Sequence, residues 1–230
     1  MSAATDAPML AARGLGLTLG VTRALDDASF AVAPGEIVSV MGPSGSGKST
    51  LLHCLAGILR PDAGEVWFDG SRLDTMTESK RSAIRLREMG FVFQFGDLIP
   101  ELSLVENVAL PLQLLGVERA DARARAHEVM GDLGIDDVAD GSVSTVSGGQ
   151  AQRAAVARAV VHRPKVVFAD EPTGSLDSVA GEQVMDALVG VAEKHGAAVV
   201  LVTHDARIAA YAHRNVTVRD GRTADAVGAR

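Results

Sequence analysis

Gly42-Pro43-Ser44-Gly45-Ser46-Gly47-Lys48-Ser49 fits the pattern G-x-x-x-x-G-K-[ST]. Its neighbours give the match meaning. The apolar run Glu36–Met41 before it reads as a strand, and Ser49–Leu59 after it reads as a helix with Leu51, Leu52, Leu55 and Ile58 on its apolar face. Glycines let such a turn curl until successive backbone N–H groups point at one spot, and the following helix adds the positive end of its dipole. Lys48 is spaced to reach the β- and γ-phosphates of a nucleoside triphosphate, and the Ser49 hydroxyl to complete a Mg²⁺ shell. The candidate phosphate-binding residues are Gly42, Ser44, Gly45, Ser46, Gly47, Lys48, Ser49 and Thr50.

Downstream, Lys165-Val166-Val167-Phe168-Ala169-Asp170-Glu171 is an apolar strand that ends in two carboxylates. Adjacent acids at the tip of a buried strand are costly unless a cation or a proton-transfer task holds them there. Asp170 is positioned to hold Mg²⁺, and Glu171 to orient and deprotonate an attacking water. Further short apolar runs, Val66–Phe68, Gly90–Gln94 and Ala197–Val202, alternate with helical patterns, which predicts α/β architecture. Asp69-Gly70 and Asp220-Gly221 signal hairpins, the second within Val216–Thr223. From Ser103 to about Asp140 the pattern is helical with turns near Gly116 and Gly134, and Ala151–His162 is a further helix before Pro164. Arg158 interrupts the apolar run Ala154–Val161.

Composition narrows the classes. The chain has 230 residues, 47% hydrophobic and 22% charged, which suits a globular protein with a sizeable core. No run approaches the roughly 18 apolar residues of a membrane-spanning helix. The Ala-rich start Met1–Ala12 lacks the cationic and apolar regions of a signal peptide. A lone Cys54 excludes an internal disulfide and a multi-cysteine zinc site. A net charge of -7 and 3% aromatic residues argue against nucleic acid as a partner.

Further residues make the reading narrower. Ser147-Gly148-Gly149-Gln150, followed by Gln152-Arg153, resembles the signature motif of ATP-binding-cassette ATPases, with Val146 where Leu is more usual. Gln94 resembles the family's Q-loop glutamine, Ser175-Leu176-Asp177 its D-loop, and His204 its switch histidine. Order and spacing match from about Leu10 to Arg222. Asp170–Asp177, Phe93-Gln94 and Glu106-Asn107-Val108 further resemble the branch that contains the lipoprotein-release, macrolide-export, bacitracin-resistance and cell-division cassettes.

The resemblance implies a P-loop NTPase (RecA-like) core with an antiparallel β subdomain and an inserted α-helical subdomain. A single cassette would span 8–225, with core and β subdomain at about 8–94 and 164–225 and the helical part at about 95–163. It implies ATP and Mg²⁺, with Ser49, Gln94 and Asp170 around the metal and Glu171, His204, Gln94 and Lys48 acting in catalysis. Ser147, Gly148, Gly149, Gln150 and Asp177 would act on nucleotide held between two head-to-tail copies of the chain. It also implies an integral membrane permease that contacts Phe95–Leu102, with Leu98 and Ile99 offered to it, and a peripheral place at the cytoplasmic face of the inner membrane. The family's adenine-stacking aromatic falls at Leu19, so only Leu19 and Val21, helped by Arg23, would cover the base. A soluble cassette of DNA repair or translation is disfavoured, because a single phosphate loop is present and only about fifty residues separate Gln94 from Ser147. A non-hydrolysing ATP-binding module is disfavoured because Glu171, His204 and Lys48 are all retained.

Overall fold

Short β-branched runs and longer amphipathic stretches resolve, in a computed structural model that describes residues 7–225, into ten strands and seven α-helices among those residues. They group by contact into two units: the residues up to Arg85 together with those from Ala198 onward, and Leu86–Ala197.

In the first unit, β1 (Leu10–Leu19) and β2 (Thr22–Val32) form an antiparallel hairpin. The strand β4 (Ala63–Phe68) lies on the other edge of β1, and β5 (Ser71–Arg72) returns from it through Asp69-Gly70, the expected hairpin. Parallel strands bury both faces and so read as unbroken apolar runs. That pattern fits β3 (Ile37–Met41) and β8 (Ala198–Val202), which pair in parallel from Ile37 opposite Val199 to Val40 opposite Val202. On its other edge β3 runs parallel to β9 (Arg214–Arg219), which turns back at Asp220-Gly221 into β10 (Arg222–Asp225). Two helices pack against this unit, α1 (Lys48–Leu55) on β2 and β8, and the single turn α7 (Ala206–Ala209) on β3. The helix α1 stops earlier than its apolar pattern suggests. Ala56 caps it and Gly57 turns left-handed, so Ile58, expected on the buried face, lies outside the helix and is 41% exposed. The helix α2 (Glu78–Glu88), unforeseen in the sequence, binds Arg81 and Arg85 through Glu78.

The second unit pairs β6 (Met89–Phe93) in parallel with β7 (Val166–Asp170). Phe91 stacks on Phe168 at a centroid separation of 5.4 Å. Between these strands the chain forms α3 (Leu104–Leu114), α4 (Arg119–Asp132) and a short 3-10 turn, Asp136–Val138. Then comes α5 (Gly148–Val160), which packs on β6, on α3 and on α6 (Ser178–His195). The small faces of α5 permit this crowding: Ala154, Ala155, Ala157 and Ala159 are all buried. Gly90 allows the closest approach, since a Cβ there would sit 2.1 Å from the Ala159 carbonyl oxygen.

Candidate active site

The first unit holds the phosphate loop at the carboxyl end of β3. Gly42 has φ 151°, and a Cβ there would lie 2.1 Å from the Val218 carbonyl oxygen. Gly47 has φ 107°, and its Cβ would meet the Ala24 carbonyl oxygen at 2.5 Å. The loop is thus pressed against β9 and β2, and only glycine fits at these two points. Its other side is open: a Cβ at Gly45 would meet nothing within 4 Å. Gly47 caps α1 without any side-chain acceptor, so the first amides of the helix still offer their hydrogens. Lys48 Nζ donates to the carbonyls of Gly42 and Pro43, each at 2.9 Å, which draws the ammonium across the loop. Ser46 Oγ is buried with no hydrogen-bond partner. Exposed amides at a helix start, a lysine across the loop, an orphaned hydroxyl and an open cradle fit the phosphates of a nucleotide.

Strand register brings His204 to the same end. Val40 lies opposite Val202, and the Thr203 amide donates to the Val40 carbonyl at 3.2 Å, so Gly42 and His204 leave their strands side by side. The following Asp205 caps α7 and binds Arg207, whose guanidinium holds the Asp205 carboxyl below its ordinary range. Leu19 ends β1, 46% exposed, and Val21 at the hairpin tip is fully exposed. Arg23, expected to help cover a base, is instead paired with Asp26.

The second unit gathers the remaining candidates. Phe93 lies opposite Asp170 in the parallel register, so Gln94 and Glu171 emerge together from β6 and β7. Glu171 has φ 49°, a left-handed conformation that disfavours a branched or long side chain and recurs at functional sites. Its carbonyl accepts from the Gly174 amide at 3.0 Å. The Gln94 side chain covers Gly174, where a Cβ would lie 2.8 Å from Gln94 Nε2, and Ser175 Oγ donates to the Gln94 carbonyl at 2.8 Å. Asp177 caps α6 by accepting from the Ala180 amide at 2.9 Å. Ser147 caps α5: its Oγ accepts from the Gln150 amide at 3.2 Å, while Gln150 Oε1 accepts from the Ser147 amide at 2.9 Å. A hydroxyl that accepts in a cap keeps its own proton to donate. Gly148 and Gly149 face Leu176 and Ala180, each 3.3 Å from an added Cβ. Gln94, Glu171, the Ser175–Asp177 turn and the Ser147–Gln150 segment therefore touch in succession.

The loop after Gln94 differs in detail from the expectation. Phe95 is 76% exposed and Ile99 37%, but Leu98 is half-buried, so Phe95 replaces Leu98 as the apolar group on offer. Buried Asn107 pins the loop by accepting from the Ile99 amide at 2.7 Å and donating to the Ile99 carbonyl at 3.0 Å. One residue of this region escaped the sequence reading as functional, Arg158, which bonds this loop at Gly96 and Asp97, while Gln152 of the signature resemblance bonds the Phe93 carbonyl at the end of β6. The available signal was a charge inside an otherwise apolar helical run.

A glycine loop between a parallel strand and a helix, with carboxylates ending another parallel strand, defines a P-loop nucleotide hydrolase. The family described as "ABC transporter" matches residues 25–174. The chain is 44% identical to the lipoprotein-releasing system ATP-binding protein LolD 2 of Caulobacter vibrioides, over 93% of this chain and 96% of that one. It is also 44% identical to the macrolide export ATP-binding/permease protein MacB of Syntrophobacter fumaroxidans, over 84% of this chain but 27% of that longer protein. A dimeric post-hydrolysis structure of the cassette MJ0796 with ADP and Pi superposes with a TM-score of 0.86 at 35% identity, covering 96% of this chain and all of that one. This chain belongs to the ABC transporter family, and is an ATP-hydrolysing cassette that works with Mg²⁺. Among the described residues no helix is long and apolar enough to cross a membrane.

Proposed function

We propose that this chain is one cassette of a head-to-tail pair and drives a separate integral membrane permease from the cytoplasmic face of the inner membrane. The observation that carries the reading is a pair of helix starts that keep amides free: α1, where Gly47 brings no side-chain cap, and α5, where the Ser147 hydroxyl takes the Gln150 amide and leaves those of Gly148 and Gly149. Each can hold an anion, yet they belong to different motifs of one chain. Two copies facing head to tail would give every triphosphate one start of each kind. Similarity to LolD 2 along nearly the whole chain, and to a dimeric cassette, supports the same arrangement. The work done on the permease side would be export, extraction of a lipophilic substrate, or force transmission.

In this reading the loop amides and Lys48 bind the β- and γ-phosphates. Glu171 orients the attacking water and takes its proton, and its left-handed backbone fixes where that carboxylate points. His204 contacts the γ-phosphate, Gln94 senses the metal or the water, and Asp177 links the two sites. The Ser147 hydroxyl and the Gly149 amide, supplied by the second copy, close over the triphosphate. The expected metal donors, Ser49, Gln94 and Asp170, are all oxygens, the set that a small hard cation prefers. Bound Mg²⁺ would neutralise charge on the phosphates during transfer. Phe95 and Ile99 would meet the permease.

Two substitutions separate these roles. Lys48→Ala loses nucleotide binding, measured by equilibrium titration with a fluorescent ATP analogue. Glu171→Gln keeps binding, lowers phosphate release by at least about 100-fold, and accumulates as an ATP-bound dimer on size exclusion with light scattering. Identical behaviour of the two variants would overturn the assignment.

A further inference from the structure

We propose that Arg158 is a positioning residue, a clasp that ties the loop after Gln94 to the helix that begins at Ser147, so that the two move as one body. The proposal rests on the reading that Phe95–Leu102 meets a permease, and its test is arranged to tell the two apart.

Gly96 and Asp97 are consecutive left-handed residues, at φ 71° and 46°, which folds the loop back on itself. Arg158 reaches into that reversal from α5. Its Nη2 donates to the Gly96 carbonyl and its Nη1 to the Asp97 carbonyl, both at 2.7 Å. A planar guanidinium can hold two acceptors in fixed relation, which an ammonium cannot. The group is largely buried, and desolvation pushes its pKa down even though Asp97 lies close. Burying a cation against two neutral carbonyls is a costly way to fill space, and a leucine at that point of an apolar helix would pack without the cost.

A second anchor reinforces the first. Gln152, 2% exposed, donates from Nε2 to the Phe93 carbonyl at 2.8 Å. The two anchors bracket Gln94 and Phe95, the pair that points to the nucleotide chemistry and to the outside. Both anchors stand on α5. From Ser147 to Arg158 is about 16 Å of hydrogen-bonded helix, stiff along its axis. At its start Gly148 and Gly149 press on Leu176 and Ala180. A pull on the docking loop therefore reaches the segment offered to the second copy's nucleotide through one rigid rod, without passing through the nucleotide.

Arg158→Lys keeps the charge and removes the fork. Hydrogen exchange of the full chain should quicken at least fivefold in residues 94–99 and, together with them, in residues 147–151. Exchange in α1 and α4 should stay unchanged, and ATP affinity within twofold. Faster exchange in 94–99 alone overturns the clasp. Gln152→Ala removes the other anchor and carries the same expectation, which keeps the test open should Arg158→Lys fail to fold. In the complex with the permease, Arg158→Lys should cut the permease-stimulated ATPase rate about tenfold at unchanged KM, while the rate of the chain alone stays within threefold. Equal loss of both rates points to a purely structural residue and overturns the proposal. Phe95→Ala is the control on the underlying reading. If it leaves stimulation intact while the paired exchange effect of Arg158→Lys is present, the clasp stands and the docking assignment falls.

Discussion

Leu19 shows how much one side chain can settle. It ends β1 half in solvent, with Val21 fully exposed beside it and Arg23 turned to Asp26. Neighbouring Ala24 approaches the phosphate loop at Gly47, where an added Cβ would lie 2.5 Å from its carbonyl oxygen, so β2 of this hairpin borders that loop. An aliphatic side chain offers a base contact area but neither a π-face nor a hydrogen-bond pattern. We expect Leu19→Tyr to tighten ATP binding about fivefold, the value of a stacking contact near 1 kcal/mol, and to raise the preference for ATP over GTP. Titration of both nucleotides checks this, and unchanged constants would remove Leu19 from the base site. The substitution was legible from the sequence because an absent aromatic needs no geometry to notice. The occupation of Arg23 was not, since Asp26 becomes its partner only when β2 forms.

Elements are held by contacts that sequence patterns indicate only in part. Gly90 sits in β6 where the α5 backbone crosses, and Gly90→Ala would force the Ala159 carbonyl outward. We expect a loss of about 2–3 kcal/mol in urea unfolding, as for other overpacked cores. The start of α3 is a capping box: Glu106 Oε2 accepts from the Ser103 amide at 3.0 Å and from its hydroxyl at 3.1 Å. Those bonds, with Arg119 nearby, hold the Glu106 carboxyl below its ordinary value. A depressed carboxylate contributes stability that is full above about pH 4.5 and fades as pH falls through the folded value. Glu106→Gln should therefore flatten the acid limb of the stability–pH curve as pH falls below the ordinary glutamate value of 4.5, measured as the urea midpoint. The box could be read from Ser103-Leu104-Val105-Glu106. The 18 residues of α6 could not, because Gly181, Gly190 and four valines weaken local helix preference. Packing of Val184, Met185 and Leu188 in the core makes that segment a helix.

Ligand linkage acts on the chain in its entirety. Anything that binds the folded state alone stabilises it by mass action, about 2.7 kcal/mol at 100 times the dissociation constant. With Mg²⁺ and ATP, Glu171→Gln should show a rise in Tm that grows with nucleotide and with protein concentration, because dimer formation adds to binding. Lys48→Ala should show neither dependence. Scanning calorimetry over a tenfold protein range distinguishes the two. A rise in Glu171→Gln that ignores protein concentration would mean that nucleotide binds without pairing the chains.

Local chemistry was written in the order of residues. The glycine loop, the acids ending β7, the Ser147 cap and the hairpin turns each depend on a few neighbours in the chain, so their spacing alone announced them. Distant meetings were not. That Gln94 emerges beside Glu171 depends on the register of β6 against β7. That Arg158 holds the Gly96-Asp97 reversal depends on the packing of α5 against β6, which Gly90 permits. Such contacts join residues more than sixty positions apart, and no local preference encodes which pair will meet when the core closes.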